Sequence, residues 1–381
     1  MEFIWRFYKD IFQMPLSKSL LELKKDLKNT SVKKRTLTSD EHKLVNQIKE
    51  KTKKFNRNNL TRTKAYLDFY NNHPEIHWSF LAHMVSRNGG WNMTDLKGEF
   101  LAKLMSMKDR ITFFSFIERA NWLIFKDAFP QLLLYEETLK RHKDLTHLIS
   151  HFDVSRFMES IWKHFLHFND SAILTLGLII NEQNYIEKRI VQHNEMKKEV
   201  FGTLEFLLQD LLSLNQILFP YDNNGLVKLA GLTVHHFESL HTRIQIGKKL
   251  YSVLFSDGSV SLQVHNWAKR NPHTGSRKDY WPLLFNVVNE SVPSNNYLQR
   301  LSSCQLRTGS PRFFSPTLEF AWKDTVQNSA EIGDWYKDWQ VIEYLEFMEE
   351  PVKDEIQGEY CRTLERLELA AMAKKVISIF D

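Results

Sequence analysis

At helical spacing, Phe3, Ile4, Phe7, Tyr8, Ile11, Phe12 and Met14 form one apolar stripe, with Glu2, Arg6, Lys9, Asp10 and Gln13 opposite and Pro15 ending the pattern. The segment suits either an interfacial anchor or a terminal helix docked on its own core. Thr38, followed three residues later by Glu41, reads as a capping box opening a helix to about Phe55. A helix follows over 61–70, and a second begins at His73-Pro74 and stops at Asn88-Gly89-Gly90. A third, capped by Asn92 or Thr94, carries Phe100, Leu101 and Leu104 inward. Beyond Lys108, the stretches 111–125, 130–140, 154–168, 171–192 and 197–217 repeat apolar residues three and four positions apart, with Asp153 a cap for the third of them. Pro220, Asn223, Asn224 and Gly225 break the series. From Ser256 the chain reads as more loop-like, until a helical, acidic tail over 331–380. The expectation is an all-α protein, with a basic amino-terminal helical arm (1–56) on one large helical domain (57–381).

Composition agrees with helix. Gly 13 and Pro 10 in 381 residues leave little material for many strands and tight turns, while 43% hydrophobic and 13% aromatic residues supply a substantial core. The charge is uneven: the first 64 residues hold 17 Lys and Arg against 7 Asp and Glu, leaving 34 against 39 for the rest. The basic run from Lys24 to Arg57 fits contact with nucleic acid or an anionic membrane surface, or simply a solvated face. Cys304 and Cys361 have no CxxC spacing, so neither a disulfide framework nor a thiolate metal site is expected, and a reducing compartment is. The apolar run 172–180 falls short of the ~20 residues a spanning helix needs. A cytoplasmic protein is expected, membrane-peripheral if the arm meets lipid.

Candidate chemistry concentrates on the second helix of the 58–98 stretch. It is apolar on most sides, yet His73, His77, His83 and Arg87 fall on the arc of Ile76 and Phe80, where each unpaired polar group costs on the order of 1–3 kcal/mol. They either line a pocket, with Asn88 and the free amides of Gly89 and Gly90 helping Arg87 to hold an anion, or form an internal network. Further on, Glu238, His241 and Gln245 share a helical face. A Glu-x-x-His pair is half of a di-iron ligand set, but no second one exists, so no cofactor is expected and a metal at Glu238 and His241 is only the weaker alternative. Two loops resemble each other, HTGSRKDYWPLLF from His273 and RTGSPRFFSPTLEFAW from Arg307. Glycine, hydroxyls, Arg277 or Arg307 and a following helix start are the parts of an anion-binding turn, and equally of an ordinary capping turn.

The run TRTKAYLDFYNNHPEIHWSFLAHMVSRNGGWNMTDLKG, with HTGSRKDYWP further on, resembles the YppC-like family of Bacillus and its relatives, a family of unknown function. The resemblance covers most of the chain after about residue 40 and implies a cytoplasmic bacterial protein. It brings no catalytic residues with it. From the residues themselves, the leading function is binding of, or action on, a small anionic ligand. Arg87, Arg277 and Arg307 would hold the anion beside His73, Asn88, Gly89, Gly90 and His273, and His77, His83 and His241 with Glu238 would transfer protons. That reading requires Arg87 and Arg277 to converge. The alternative is a non-enzymatic peripheral protein whose arm meets membrane, nucleic acid or a partner.

Overall fold

Leu23 and Leu27, four residues apart on α1 (Lys18–Asn29), are the first side chains of the core in a computed structural model that describes residues 18–29, 36–191, 216–234, 239–256, 258–290, 299–345 and 355–380. The amphipathic stripe over 3–14 and most of the 197–217 stretch lie outside these residues. α2 (Ser39–Phe55) opens on the expected capping box: Glu41 N–H donates to Thr38 Oγ1 at 3.3 Å and Thr38 N–H to Glu41 Oε2 at 2.9 Å. Its Leu44, Val45 and Ile48 are buried. These leucines, valine and isoleucine belong to the larger of two buried clusters among the described residues; Leu123, Tyr185, Ile186 and Ile190 form the smaller.

A second capping box, Asn58 with Thr61, starts α3 (Asn59–Asn72). It packs along α4 (His77–Asp95), in which Trp78, Phe80, Met84, Trp91 and Met93 are all essentially inaccessible. Two corrections fall here. His73 caps the end of α3 instead of opening α4, and Gly89-Gly90 lies inside α4, which continues to Asp95. After the short α5 (Leu101–Leu104) comes α6 (Met107–Arg141), one 35-residue helix with Pro130 within it where two helices were expected. Pro130 removes one helical N–H bond without ending the helix. A 3-10 turn, Thr146–Phe152, leads to α7 (Arg156–Phe168), capped by Ser155 because Asp153 adopts a left-handed φ of 60°. α8 (Ser171–Ile186) runs on into one π turn, Glu187–Val191.

The helical series is then interrupted by an antiparallel hairpin, β1 (Gln216–Asn223) and β2 (Leu226–Thr233). Asn224 at φ 52° and Gly225 at φ 81° form its two-residue turn, the left-handed pair that matches strand twist. Asn88 ties the hairpin to α4: its Nδ2 donates to Leu218 O and its Oδ1 accepts from Leu218 N–H, each at 2.8 Å. α9 (Leu240–Phe255) and α10 (Gly258–Arg270) follow, so the stretch expected to be loop-like from Ser256 opens on a helix and becomes loop-like from Asn271. A loop from Asn271 leads into β3 (Phe285–Asn286). β4 (Leu301–Ser302) and β5 (Gln305–Leu306) make a small hairpin, and β6 (Phe313–Phe314) pairs parallel with β3. After α11 (Leu318–Ala321) the chain over 323–338 is irregular, without helix or strand, although a helical tail is expected from residue 331. Arg119 donates to Asn328 O, and Arg189 to Glu331 O and Gly333 O, holding this stretch against the helices.

α12 (Gln357–Phe380) closes the fold, and the two cysteines meet there. Cys304 and Cys361 form a disulfide across 57 residues, with Cα atoms 5.3 Å apart, which corrects the expectation of free thiols. Spacing in sequence carries no trace of a contact made by the β4–β5 turn folding onto α12. Among the described residues no helix is long and apolar enough to cross a membrane.

Candidate functional site

Gly90 explains why α4 continues where a stop was expected. A Cβ there would lie 2.3 Å from His273 Nε2 and 2.5 Å from Asn59 Oδ1, while one at Gly89 would lie 3.1 Å from Asn121 Nδ2. The glycines admit side chains from α3, α6 and the 271–280 loop against the helix backbone. Because both glycines are mid-helix, their amides are engaged in the helix, and they offer no free N–H groups to an anion.

The space so made holds a polar centre. Asn59 Nδ2 donates to Ser86 O at 2.8 Å, which orients its amide so that Oδ1 accepts from His273 Nε2 at 3.0 Å. One turn back on α4, His83 Nδ1 donates to Thr63 O at 2.8 Å, leaving Nε2 bare. Arg87, on the same face, donates from Nη1 to Asn271 O at 2.8 Å and stacks over Trp267, its guanidinium 4.5 Å from the ring centroid. Among the described residues its Nε and Nη2 have no hydrogen-bond partner, and neither has His273 Nδ1. All three residues are buried.

Asp279 anchors the loop side. It accepts from Thr274 N–H at 3.0 Å, Thr274 Oγ1 at 2.6 Å and Trp91 Nε1 at 3.3 Å, with His273 Nδ1 3.4 Å and Arg87 Nη2 3.9 Å away. The amide of the first Thr-Gly-Ser turn is thus engaged by the protein's own carboxylate. Gly275 takes φ 81°, and a Cβ there would meet Leu318 Cβ at 2.7 Å. Ser276 Oγ caps the 3-10 turn Arg277–Asp279. Burial pushes the Arg87 guanidinium down to about 10, Asp279 opposing. His83 and His273 are driven below the ordinary histidine value, each mainly by burial and then by the positive Arg87, with Thr63 O and Asp279 respectively pulling the other way. Despite its own burial, Asp279 is held below the usual carboxylate range by His273, Arg87 and Thr274.

Arg277 packs against the same helix but serves a different carboxylate. Its Nε donates to both oxygens of Asp95 at 2.9 and 2.8 Å, its Nη1 to Tyr280 Oη at 2.8 Å and its Nη2 to Asn92 Oδ1 at 3.1 Å. Arg87 and Arg277 therefore both pack between α4 and the 271–280 loop, but against different acids, Asp279 and Asp95.

The other expected residues are dispersed. His77 turns to α9, its Nδ1 2.9 Å from Tyr251 Oη and its ring stacked on Phe255. His73 sits at the end of α3 beside Glu75, and Asn88 is the hairpin's anchor. His241 is exposed near Tyr344, and Arg307 is exposed in the second Thr-Gly-Ser loop, whose Gly309 repeats the left-handed conformation at φ 79°. Glu238 lies outside the described residues, and among those described no group of three or more His, Cys, Asp or Glu could hold a metal ion. Lys24 and Lys28 of the arm lie over the Trp339 ring, 4.5 and 4.3 Å from its centroid. Asn59, Trp91, Trp267 and Asp279 complete the centre and were not singled out from sequence. Only Trp91 and Asn59 stood inside the dense 58–98 stretch.

Asn59, itself fully buried, also borders a cleft of about 310 Å³, open solvent included, with Glu118, Met93, Trp322 and Asp324.

Comparison with known proteins adds family and nothing about activity. The family model described as "Protein of unknown function (DUF2515)" matches residues 54–361. The uncharacterized protein YppC of Bacillus subtilis (strain 168) is 44% identical over 295 residues, covering 77% of this chain and 91% of the relative. No solved structure gives a significant match.

Proposed function

The chain belongs to the family of proteins of unknown function DUF2515, and from the centre that its two polar motifs build we propose that it binds a small oxyanion, a phosphate or carboxylate group, between α4 and the 271–280 loop. The observation that carries this reading is the pair of Arg87 N–H donors, at Nε and Nη2, left without a hydrogen-bond partner beside two imidazole nitrogens, His83 Nε2 and His273 Nδ1, that also lack one and can take up a proton. Buried polar groups are otherwise nearly always bonded, so unpaired nitrogens gathered around one arginine favour an absent oxygen-rich partner.

Charge balance sets the form of the ligand. Arg87 and Asp279 cancel, and the two histidines are neutral near pH 7. An anion brought into this centre stabilises the imidazolium of His273, whose Nδ1 already faces Asp279 at 3.4 Å. Binding therefore takes up a proton. No nucleophile among the described residues stands against that oxyanion, so the reading is of recognition.

Calorimetric titration with phosphate, sulfate and acetate in two buffers of different ionisation enthalpy tests this. The expected result is binding with net proton uptake that Arg87→Gln abolishes. Should Arg87→Gln fail to fold, His273→Gln must bind without proton uptake. Absence of binding by all three anions, or binding unaltered in both variants, overturns the proposal.

A further inference from the structure

The arm helix α1 packs on α7 and on a 3-10 turn, Trp339–Leu345. Leu23 and Leu27 are its buried side chains, Tyr336 Oη donates to Leu27 O at 3.0 Å, and Lys24 and Lys28 lie over the Trp339 ring. On the α7 side stands His164. It is 5% exposed, its ring lies 4.7 Å from that of Phe168, and among the described residues neither ring nitrogen has a hydrogen-bond partner.

A neutral imidazole carries one donor and one acceptor, and here both go unmet. An imidazolium in the same place costs more, because a whole charge is desolvated as well. Glu22 and Asp26 of α1, Asp170 at the cap of α8 and His167 on α7 are the groups whose charge reaches the ring. Burial holds His164 below the ordinary histidine value, against the pull of Asp170, Glu22 and Asp26 and with a smaller push from His167.

We infer that α1 is a pH-released clasp, docked on α7 while His164 is neutral and freed from it when His164 takes up a proton. Release gives both ring nitrogens water and bares Leu23 and Leu27 beside Lys24 and Lys28. An exposed histidine titrates near about 6.5, and the docked one lies lower. Docking is therefore complete above about pH 6.5 and weakens as pH falls toward the docked value, by at most about tenfold for each pH unit. His164 takes no part in the oxyanion centre, so the two proposals stand or fall separately.

Hydrogen exchange of the α1 amides, corrected for the pH dependence of intrinsic exchange and followed at pH 7.5 and about two units lower, reads the opening of the clasp. In the wild-type chain α1 protection is expected to fall several-fold, about tenfold at most, over that range, while α8 keeps its protection. His164→Leu, which cannot charge, is expected to protect α1 equally at both values; should it not fold, His164→Gln must do the same. His167→Leu, at an exposed neighbour, is expected to retain the fall. Wild-type α1 protection that ignores pH, a fall that persists without His164 or vanishes without His167, or a fall shared equally by α8 overturns the inference.

Discussion

Asp127 offers a quantitative test of how this helical core treats a buried acid. It lies on α6, 2% exposed, and its Oδ2 accepts from Gln131 Nε2 and Asn181 Nδ2 while Oδ1 has no partner. Among the described residues no cation pairs with it, and burial pushes its carboxyl up from 3.8 to about 7, against the opposing pull of Asn181 and the more distant Arg189. The folded chain thus holds a proton that the unfolded chain releases near pH 4. Stability contributed by the protonated form is full below that value, falls as pH rises, and is lost above about pH 7. At ~1.4 kcal/mol per pH unit the total is ~4 kcal/mol, of which ~2.5 kcal/mol falls between about pH 5 and about pH 8. Asp127→Asn removes the titration, because a neutral amide can still accept from Gln131 and Asn181. Urea unfolding of both proteins across that range is the assay. The difference in stability between variant and wild type should shift by ~2.5 kcal/mol in favour of the variant as pH rises. A constant difference refutes the account of Asp127.

Other substitutions probe the same framework. Gly90→Ala gains ~1 kcal/mol of helix propensity, but its methyl would press on His273 and Asn59, so a net loss of ~1–2 kcal/mol in chemical denaturation is expected; a stabilised variant contradicts the close approach. Asn88→Ala breaks both bonds to Leu218, and hydrogen exchange should show the Leu218 amide losing protection together with ~2–3 kcal/mol of stability; unchanged protection sinks that assignment. Replacing Cys304 and Cys361 together with serine should lower stability by ~4 kcal/mol through the released loop, and the wild-type protein should show no free thiol to Ellman's reagent under denaturing conditions.

What could be read from the sequence follows what is local. The capping box at Thr38 and Glu41 and the apolar face of α2 are short-range patterns, and they fold as written. His83 and Arg87 were legible because polar residues four apart on a helix apolar all round must be satisfied from outside it. Gly89 and Gly90 were misread for the same local reason: paired glycine ends helices in general, whereas here it makes room for His273 and Asn121, residues distant in the chain. The β1–β2 hairpin hid because β1 is buried on both faces in its middle, so its pattern lacks the alternation of a one-sided strand. Its turn, Asn224-Gly225, was the one clear signal for it. Pro130 reads locally as a helix start, though packing on both sides carries α6 through it. Asp279, which no local pattern marks, is an acceptor for both α4 and its own loop. The disulfide between Cys304 and Cys361 depends on tertiary contact alone.

The central claim, that the unpaired nitrogens of Arg87, His83 and His273 await one oxyanion, is tested most directly by nitrogen-15 NMR of the histidine side chains during titration with phosphate. The account predicts that His273 Nδ1 moves from the unprotonated to the protonated shift and that His83 Nε2 shifts over the same concentration range, both reaching saturation together. Histidine resonances that stay in place while phosphate is added would contradict it.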